Sequence, residues 1–346
     1  MSPKSRDFFS LPEPSIEAIP QVAHSLRTKW PTPETLIPLI KKSAEDFYNL
    51  PNIAFIHVED DAVRVYDEKQ PDRPYELNTT EASEVPCPCH TRLHVVGDVH
   101  GQYIDVLGFF DKLGLPSPSN TYLFNGDIVD RGPQSVEIFT LLLYIRQCYT
   151  KETPAVIFNR GNHESYYTSS IYGFLGELKR KYARFEKYEE VYSNFLDMFL
   201  RIPLCAVIAN SIFVVHGGLP ASTTATLDDI DAVYRFCEPG EDMMGQLLWS
   251  DPCAKDGYNA SPRPFCRSFG PDVTHAWLKT NNLRMVLRSH QVVDGFVRMH
   301  SDRLATVFSA PGSVCGNAAG IVTVTKTCTL SVSQFQEAKH RKCTVM

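Results

Sequence analysis

Three short segments of this chain carry residue types that do chemistry: GDVHGQ at Gly97–Gln102, GDIVDRG at Gly126–Gly132 and RGNHE at Arg160–Glu164. Together they supply Asp98, His100, Asp127, Asn162 and His163, with Asp130 and Arg131 just behind Asp127. Carboxylate, imidazole and amide donors without a thiolate suit hard or borderline divalent ions such as Mn, Fe or Zn. A carboxylate can also bridge two ions, as in hydrolases whose metals lie about 3.5–4 Å apart. Farther along, His216 in His216-Gly217-Gly218 and His290 in Arg288-Ser289-His290 each follow an apolar run. The expected ligands of two divalent ions are Asp98, His100, Asp127, Asn162, His216 and His290. Asp127 is the candidate bridge, and a hydroxide held between the ions is the expected nucleophile.

His163, next to a ligand, is placed to donate a proton to a leaving alkoxide, a contribution of about 10²–10⁴-fold when oriented. Asp130 is expected to accept a hydrogen bond from it and keep it protonated. Arg131 and Arg263 are the candidates to clamp phosphate oxygens, which a guanidinium meets bidentately, and Asn162 also lies where substrate would bind. Arg160 and Arg288 flank ligands and either brace loops by ion pairing or touch substrate. Cys87-Pro88-Cys89-His90 lacks the spacing of a tetrahedral zinc site, and no second pair follows. Lys179-Arg180-Lys181 reads as a solvated helix face.

The elements that must position these residues are legible from periodicity. Leu93–Val96, Tyr122–Phe124 and Ala155–Phe158 are short apolar runs, each leading directly into one of the three motifs. Helical patterns at Ile104–Leu113 and Ser135–Cys148 separate them. This is βαβαβ organisation in an α/β chain, in which ligands collect outside the carboxyl ends of the strands. Strands over Ile212–Val215, Met285–Leu287 and Ala305–Phe308 are expected to deliver His216, Arg288-Ser289-His290 and Ser309-Ala310-Pro311. Antiparallel strands within Ile321–Val332 close the domain. Tyr172–Leu200 reads as a mainly helical cap. Before the motifs, Thr32 and Pro33 open a helix with an apolar stripe at Leu36, Ile37, Ile40, Ala44 and Phe47. A hairpin over Ile53–Val58 and Ala62–Tyr66 follows.

With 43% hydrophobic and 21% charged residues and a net charge of −6, the chain has an ordinary globular composition. Its mild acidity argues against nucleic-acid binding. No apolar run reaches the ~18 residues of a membrane span, and Met1-Ser2-Pro3-Lys4 shows no signal core or myristoylation site. The ten cysteines have no framework spacing and are expected to be reduced in a cytoplasmic protein. Four regions are expected: a loosely held Pro/Ser-rich arm (1–31), a packed N-terminal helix, strands and connecting segment (32–90), a catalytic domain (91–335) and a basic tail (336–346).

These motifs, with His216-Gly217-Gly218, Leu247–Pro252 (LLWSDP) and Arg288-Ser289-His290, resemble the phosphoprotein phosphatase family of metallophosphatases over about residues 91–325. The resemblance implies a metallophosphoesterase fold: a central β-sandwich of mixed sheets flanked by helices, with a two-metal site at strand C-terminal ends. It also implies the same six ligands, His163 as acid with Asp130 its partner, and Arg131 and Arg263 as phosphate binders. Pro264 stands where the family usually has glycine, which leaves Arg267 as the alternative to Arg263. The implied activity is metal-dependent dephosphorylation of serine and threonine in phosphorylated proteins, with the regulatory subunit left open. The alternative is a small-molecule phosphohydrolase such as a dinucleoside tetraphosphatase, which Gly126–Pro133 also suits. The rim loop Gly312-Ser313-Val314-Cys315 has one extra residue and lacks the family's tyrosine, so altered contacts with substrates and inhibitory toxins are expected there.

Lys342-Cys343-Thr344-Val345-Met346 fits a prenylation box with a farnesyl preference, preceded by Lys339, His340, Arg341 and Lys342. One lipid chain with basic charges gives useful residence on anionic membranes, so peripheral membrane association through Cys343 is expected.

Overall fold

A computed structural model of the chain describes residues 7–70, 91–314 and 316–338. Cys87-Pro88-Cys89-His90, Cys315 of the rim loop and the Cys343 tail lie outside the described residues.

From residue 7 on, the N-terminal segment is packed, not loosely held. β1 (Phe8–Phe9), α1 (Ile19–Ser25) and β2 (Trp30–Pro31) lie against the body of the protein, with β1 and β2 paired in parallel. The physical reason is aromatic burial: the Phe8 ring meets Trp30, Tyr182 and Phe185 with centroids 4.7 to 6.2 Å apart. α2 (Pro33–Tyr48) starts at the predicted proline and buries the whole predicted stripe. The hairpin of β3 (Ile53–Val58) and β4 (Val63–Tyr66) follows.

β5 (Arg92–Val96), α3 (Tyr103–Leu113), β6 (Asn120–Asn125), α4 (Ser135–Gln147) and β7 (Val156–Asn159) form the expected βαβαβ unit, its strands parallel and adjacent. A short α5 (Tyr166–Ser169) leads to the helical cap, α6 (Phe174–Tyr182) and α7 (Tyr188–Arg201). The second half runs through β8 (Cys205–Ile208), β9 (Ile212–Val215), α8 (Leu227–Asp231), α9 (Met243–Trp249), β10 (Tyr258–Ala260), β11 (Arg267–Phe269) and α10 (Pro271–Thr280). It closes with β12 (Met285–Arg288), β13 (Phe296–Met299), β14 (Leu304–Val307), β15 (Ala319–Val324) and β16 (Leu330–Phe335).

Two mixed sheets result, a five-stranded one ordered β16-β15-β5-β6-β7 and a seven-stranded one ordered β13-β14-β12-β9-β8-β3-β4. They pack face to face: Leu93, Val95, Leu123 and Val322 of one sheet share a core with Ile56, Val214, Leu287 and Val307 of the other. The outer face of the five-stranded sheet is covered by α1, α2, α3, α4, α6 and α7, and that of the seven-stranded sheet by α8, α9 and α10. Strands buried on both faces are predominantly apolar, which is why β5, β6 and β7 read as near-continuous runs and not as alternations.

Phe139 of α4 sits at the centre of the helical side, within 5.6 to 6.1 Å of the Phe158, Phe195 and Phe199 rings. Phe139→Ala should destabilise the fold by about 3–5 kcal/mol through the cavity it leaves. Chemical denaturation should show a lowered midpoint with the slope retained.

Candidate metal centre

Five strand ends converge. Asp98 follows β5, Asp127 follows β6, and Asn162 and His163 follow β7, all from the five-stranded sheet; His216 and His290 arrive from β9 and β12 of the seven-stranded sheet. The site therefore lies at the edge of the sandwich, where both sheets end. His100, Asp127, Asp130, Arg131 and His290 all have left-handed backbone, φ between 39° and 74°. Each non-glycine residue there costs of order 1–3 kcal/mol unless its surroundings over-determine it. Close approach supplies part of that constraint: a Cβ on Gly161 would lie 2.3 Å from Asp127 N, and one on Gly132 2.2 Å from His100 O.

Glu164 supplies more. Its carboxylate accepts N–H bonds from Asp127 (2.8 Å), Ile128 (2.8 Å), Val129 (3.2 Å) and Gly161 (3.0 Å), tying the end of β6 to the end of β7. The ligand side chains are then oriented individually. His100 Nδ1–H donates to Val129 O and His216 Nδ1–H to Asn125 O, both at 2.8 Å, so each ring turns its Nε2 inward. Asp98 Oδ1 accepts from His290 N–H and Asp127 Oδ1 from His163 N–H, both at 2.9 Å.

The geometry fits divalent ions. His100, Asp127 and His163 form one group able to hold an ion, and Asp127, His216 and His290 form a second, with Asp127 common to both. His100 Nε2 lies 3.8 Å from both Asp98 Oδ2 and Asp127 Oδ2, too far to hydrogen-bond and close enough for an ion between them. His216 Nε2 lies 2.9 Å from Asn162 Oδ1 and 3.3 Å from Asp127 Oδ1. His290 Nε2 is buried with no hydrogen-bond partner, a cost that a metal bond removes. The protein's own charges reinforce the point. Burial, and then the neighbouring Asp127, push the Asp98 carboxyl up to about 6. Burial also drives the His100 imidazole down to about 3 and His290 well below its ordinary range. Burial opposes ionisation of Asp127 as well, but His216 and His163 hold its carboxyl well below the usual value. A bound cation dominates such a local charge balance.

Beside the ligands, His163 Nδ1–H donates to Asp130 Oδ2 at 2.6 Å, and Asp130 Oδ1 accepts from Phe174 N–H at 2.8 Å. Burial works against a charge on His163, but the Asp127 and Asp130 carboxylates outweigh it and its pKa is raised. Its Nε2 faces the ions' position, 3.8 Å from Asp127 Oδ2. Arg131 and Arg263 line the same pocket of about 290 Å³, together with Asp98, His100, Asp127, His163, His290 and the exposed rim residues Val292 and Val314. Arg263, and not the alternative Arg267, is the arginine in this lining.

Asp251 was not singled out from sequence, although it lies in the LLWSDP segment. Its Oδ2 accepts from Arg263 Nε at 3.0 Å and its Oδ1 from Arg288 Nη2 at 2.8 Å, so it aims Arg263 into the pocket. Tyr172, whose ring centroid is 5.4 Å from that of His163, was also missed as a site residue. Arg160 and Arg288 prove to be braces: both are fully buried, Arg160 on the carbonyls of Glu164 and Cys237, Arg288 on Gly217 O and Asp251. The basic run of α6 is only partly solvated, because Lys181 turns inward and is 1% exposed.

Comparison with known proteins points the same way. The model of the calcineurin-like phosphoesterase family matches residues 91–294. The serine/threonine-protein phosphatase 5 of Arabidopsis thaliana is 46% identical over 230 residues, 66% of this chain and 41% of that protein. The serine/threonine-protein phosphatase T of Schizosaccharomyces pombe is 39% identical over 269 residues, 76% of this chain and 55% of that protein. The chain thus spans about half the length of the curated relatives it matches. A solved serine/threonine phosphatase from Saccharomyces cerevisiae, with similarity to human phosphatase PP5, superposes with a TM-score of 0.78 at 31% identity, covering 95% of this chain and 98% of that one.

Elemental analysis should find two divalent ions per folded chain. Asp127→Asn, which weakens the one carboxylate common to both groups, should lose both. Chelation should lower the melting temperature of the native protein, since ions that bind only the folded state stabilise it.

Proposed function

Because this chain belongs to the calcineurin-like phosphoesterase family, we propose that it is a metal-dependent protein phosphatase that hydrolyses phosphoserine and phosphothreonine. One observation carries the reading: two candidate ion groups sharing Asp127, a His163–Asp130 pair and two arginines face one solvent-open pocket. The similarity to serine/threonine phosphatases from plant and yeast supports it. The donor set of carboxylate, imidazole and amide suits Mn, or an Fe/Zn pair. Asp98, His100, Asp127, Asn162, His216 and His290 would hold the ions; within the first group Asp98, 3.8 Å from His100 Nε2, takes the place of His163, which is left to Asp130 and the proton role. Bound there, the ions supply Lewis acidity and an activated water for direct displacement at phosphorus.

The chain's own residues do the rest. Arg131 and Arg263 bind the non-bridging phosphate oxygens and orient the ester. Asp251 holds Arg263 in that direction. His163, fixed through Nδ1 by Asp130, presents its Nε2 proton to the departing alkoxide. The Ser or Thr oxygen is a poor leaving group, so this proton matters far more for a phosphopeptide than for an aryl phosphate.

A small-molecule phosphohydrolase is the second reading, favoured only by the Gly126–Pro133 segment. The phosphoprotein reading is preferred because exposed Val292 and Val314 line the pocket and exposed Tyr172 stands beside His163, a surface suited to a polypeptide. For the Cys343 segment, we hold to peripheral membrane residence by prenylation of an otherwise cytoplasmic protein.

Asp98→Asn should abolish turnover. His163→Ala should slow phosphopeptide hydrolysis by about 10²–10⁴-fold and 4-nitrophenyl phosphate hydrolysis much less. An equal loss on both substrates would remove His163 from the acid role. A dinucleoside polyphosphate turned over faster than a phosphopeptide would favour the second reading. A farnesyl analogue should label the wild-type protein in cells and fail to label Cys343→Ser; no label in the wild type would end the lipid proposal.

A further inference from the structure

Asp130 and Arg131 are consecutive non-glycine residues with left-handed backbone, φ 74° and 63°. They carry the partner of His163 and one arm of the phosphate clamp. Backbone of this kind persists only where its surroundings hold it. Much of that restraint comes from a single stretch, Tyr172 to Lys181. Arg131 N–H donates to Tyr172 O at 3.1 Å, and Phe174 N–H to Asp130 Oδ1 at 2.8 Å. Glu177 accepts from Ser135 N–H and Val136 N–H at 3.1 and 2.9 Å, capping α4 immediately after the turn. Lys181 Nζ donates to Pro133 O at 3.1 Å. Proline has no N–H, so this carbonyl is the only main-chain hydrogen-bonding group Pro133 possesses.

Lys181 itself is held from three sides. Its ammonium bonds Glu177 Oε1 at 2.6 Å and Glu137 Oε2, and lies 5.6 Å from the Trp30 ring. Trp30 Nε1–H in turn donates to Glu137 Oε1 at 3.0 Å. Lys181, Glu177 and Glu137 are all at most 2% exposed. Apolar side chains of similar volume often serve stability as well as a buried ion cluster, so what the charges add here is direction. The cluster aims one N–H at Pro133, two residues from Arg131.

We infer that Lys181 is a positioning residue for the phosphate clamp: it anchors Pro133 and so fixes Arg131, with Trp30 and Glu137 orienting its ammonium. The N-terminal segment, outside the span matched by the family model, thereby becomes part of the working site. Arg131's role in the inference rests on the phosphatase reading.

The test uses the full, metal-loaded chain and inorganic phosphate as the probe. The double substitution Lys181→Met with Glu137→Met keeps volume and removes the tether and one opposing charge. It should melt within a few degrees of the wild type yet bind phosphate about tenfold more weakly by calorimetry, in line with loss of a charge-assisted bond. KM for a phosphopeptide should rise more than kcat falls. Lys181→Arg, which retains the cation and its donors, should recover most of the affinity. Unchanged phosphate affinity in the folded double variant overturns the inference, and so does an equal loss in Lys181→Arg. If the double variant does not fold, Trp30→Phe decides, because it removes the indole N–H that orients Glu137 and trims the ring over Lys181 while leaving Lys181 and both carboxylates in place: weakened phosphate binding supports the inference and unchanged binding overturns it. Wild-type protein that binds phosphate but turns over no phosphopeptide would retire the phosphatase reading separately, since phosphate affinity is read without turnover.

Discussion

The Glu164 carboxylate, buried and bonded to the main-chain N–H groups of Asp127, Ile128, Val129 and Gly161, is the constraint on which the site depends. The loops after β6 and β7 have left the ladder of the sheet, and their N–H groups would otherwise be orphans in a water-poor interior. One carboxylate satisfies four of them. Doing so fixes the path of two loops relative to one another, and with it the distance between Asp127 and the Asn162–His163 pair. The approach is so close that only glycine fits at position 161, where any Cβ would meet Asp127 N and the Glu164 carboxylate itself.

Two of the candidate ligands, His216 and His290, come from the other sheet, so the site is also a product of sandwich packing. Asp98 Oδ1 accepts from His290 N–H at 2.9 Å, a side-chain to main-chain bond between the ends of β5 and β12, one from each layer. The apolar face shared by the two sheets is therefore not only a source of stability. It sets the separation across which two groups of ligands meet, and cores packed at crystal-like density hold such separations rigidly. The imidazoles then need only one degree of freedom settled each, and the carbonyls of Val129 and Asn125 settle it for His100 and His216.

A third layer of control comes from the helical side. α6 and the residues just before it hold Asp130, Arg131, Pro133 and the start of α4 by main-chain and carboxylate bonds. The aromatic packing of Phe8 and Trp30 brings the N-terminal segment onto the same helix. Asp130 and Arg131 thus share one scaffold, whereas Arg263 is held separately through Asp251.

Much of this was written in the sequence, for identifiable reasons. Strands β5, β6 and β7 announced themselves as apolar runs because both their faces are covered, and each ran straight into a polar motif because chemistry collects at parallel strand ends. The stripe of α2 and the candidate ligand residues were legible because their signals are local. Other features were not local. The N-terminal segment reads as a loose arm from its proline and serine content, and the groups that hold its described part down, such as Tyr103, Tyr144, Tyr182 and Phe185, lie far along the chain. Lys181 reads as solvated beside Lys179 and Arg180, since nothing nearby in sequence reveals Glu137 facing it across α4. Asp251 lies within a recognisable segment, yet its task of aiming Arg263 appears only when β12 brings Arg288 to its other oxygen. Residue type and spacing determined by themselves which atoms seek a metal and a phosphate. Tertiary structure decided how those atoms are aimed and restrained, because direction is set by hydrogen bonds between segments far apart in the chain.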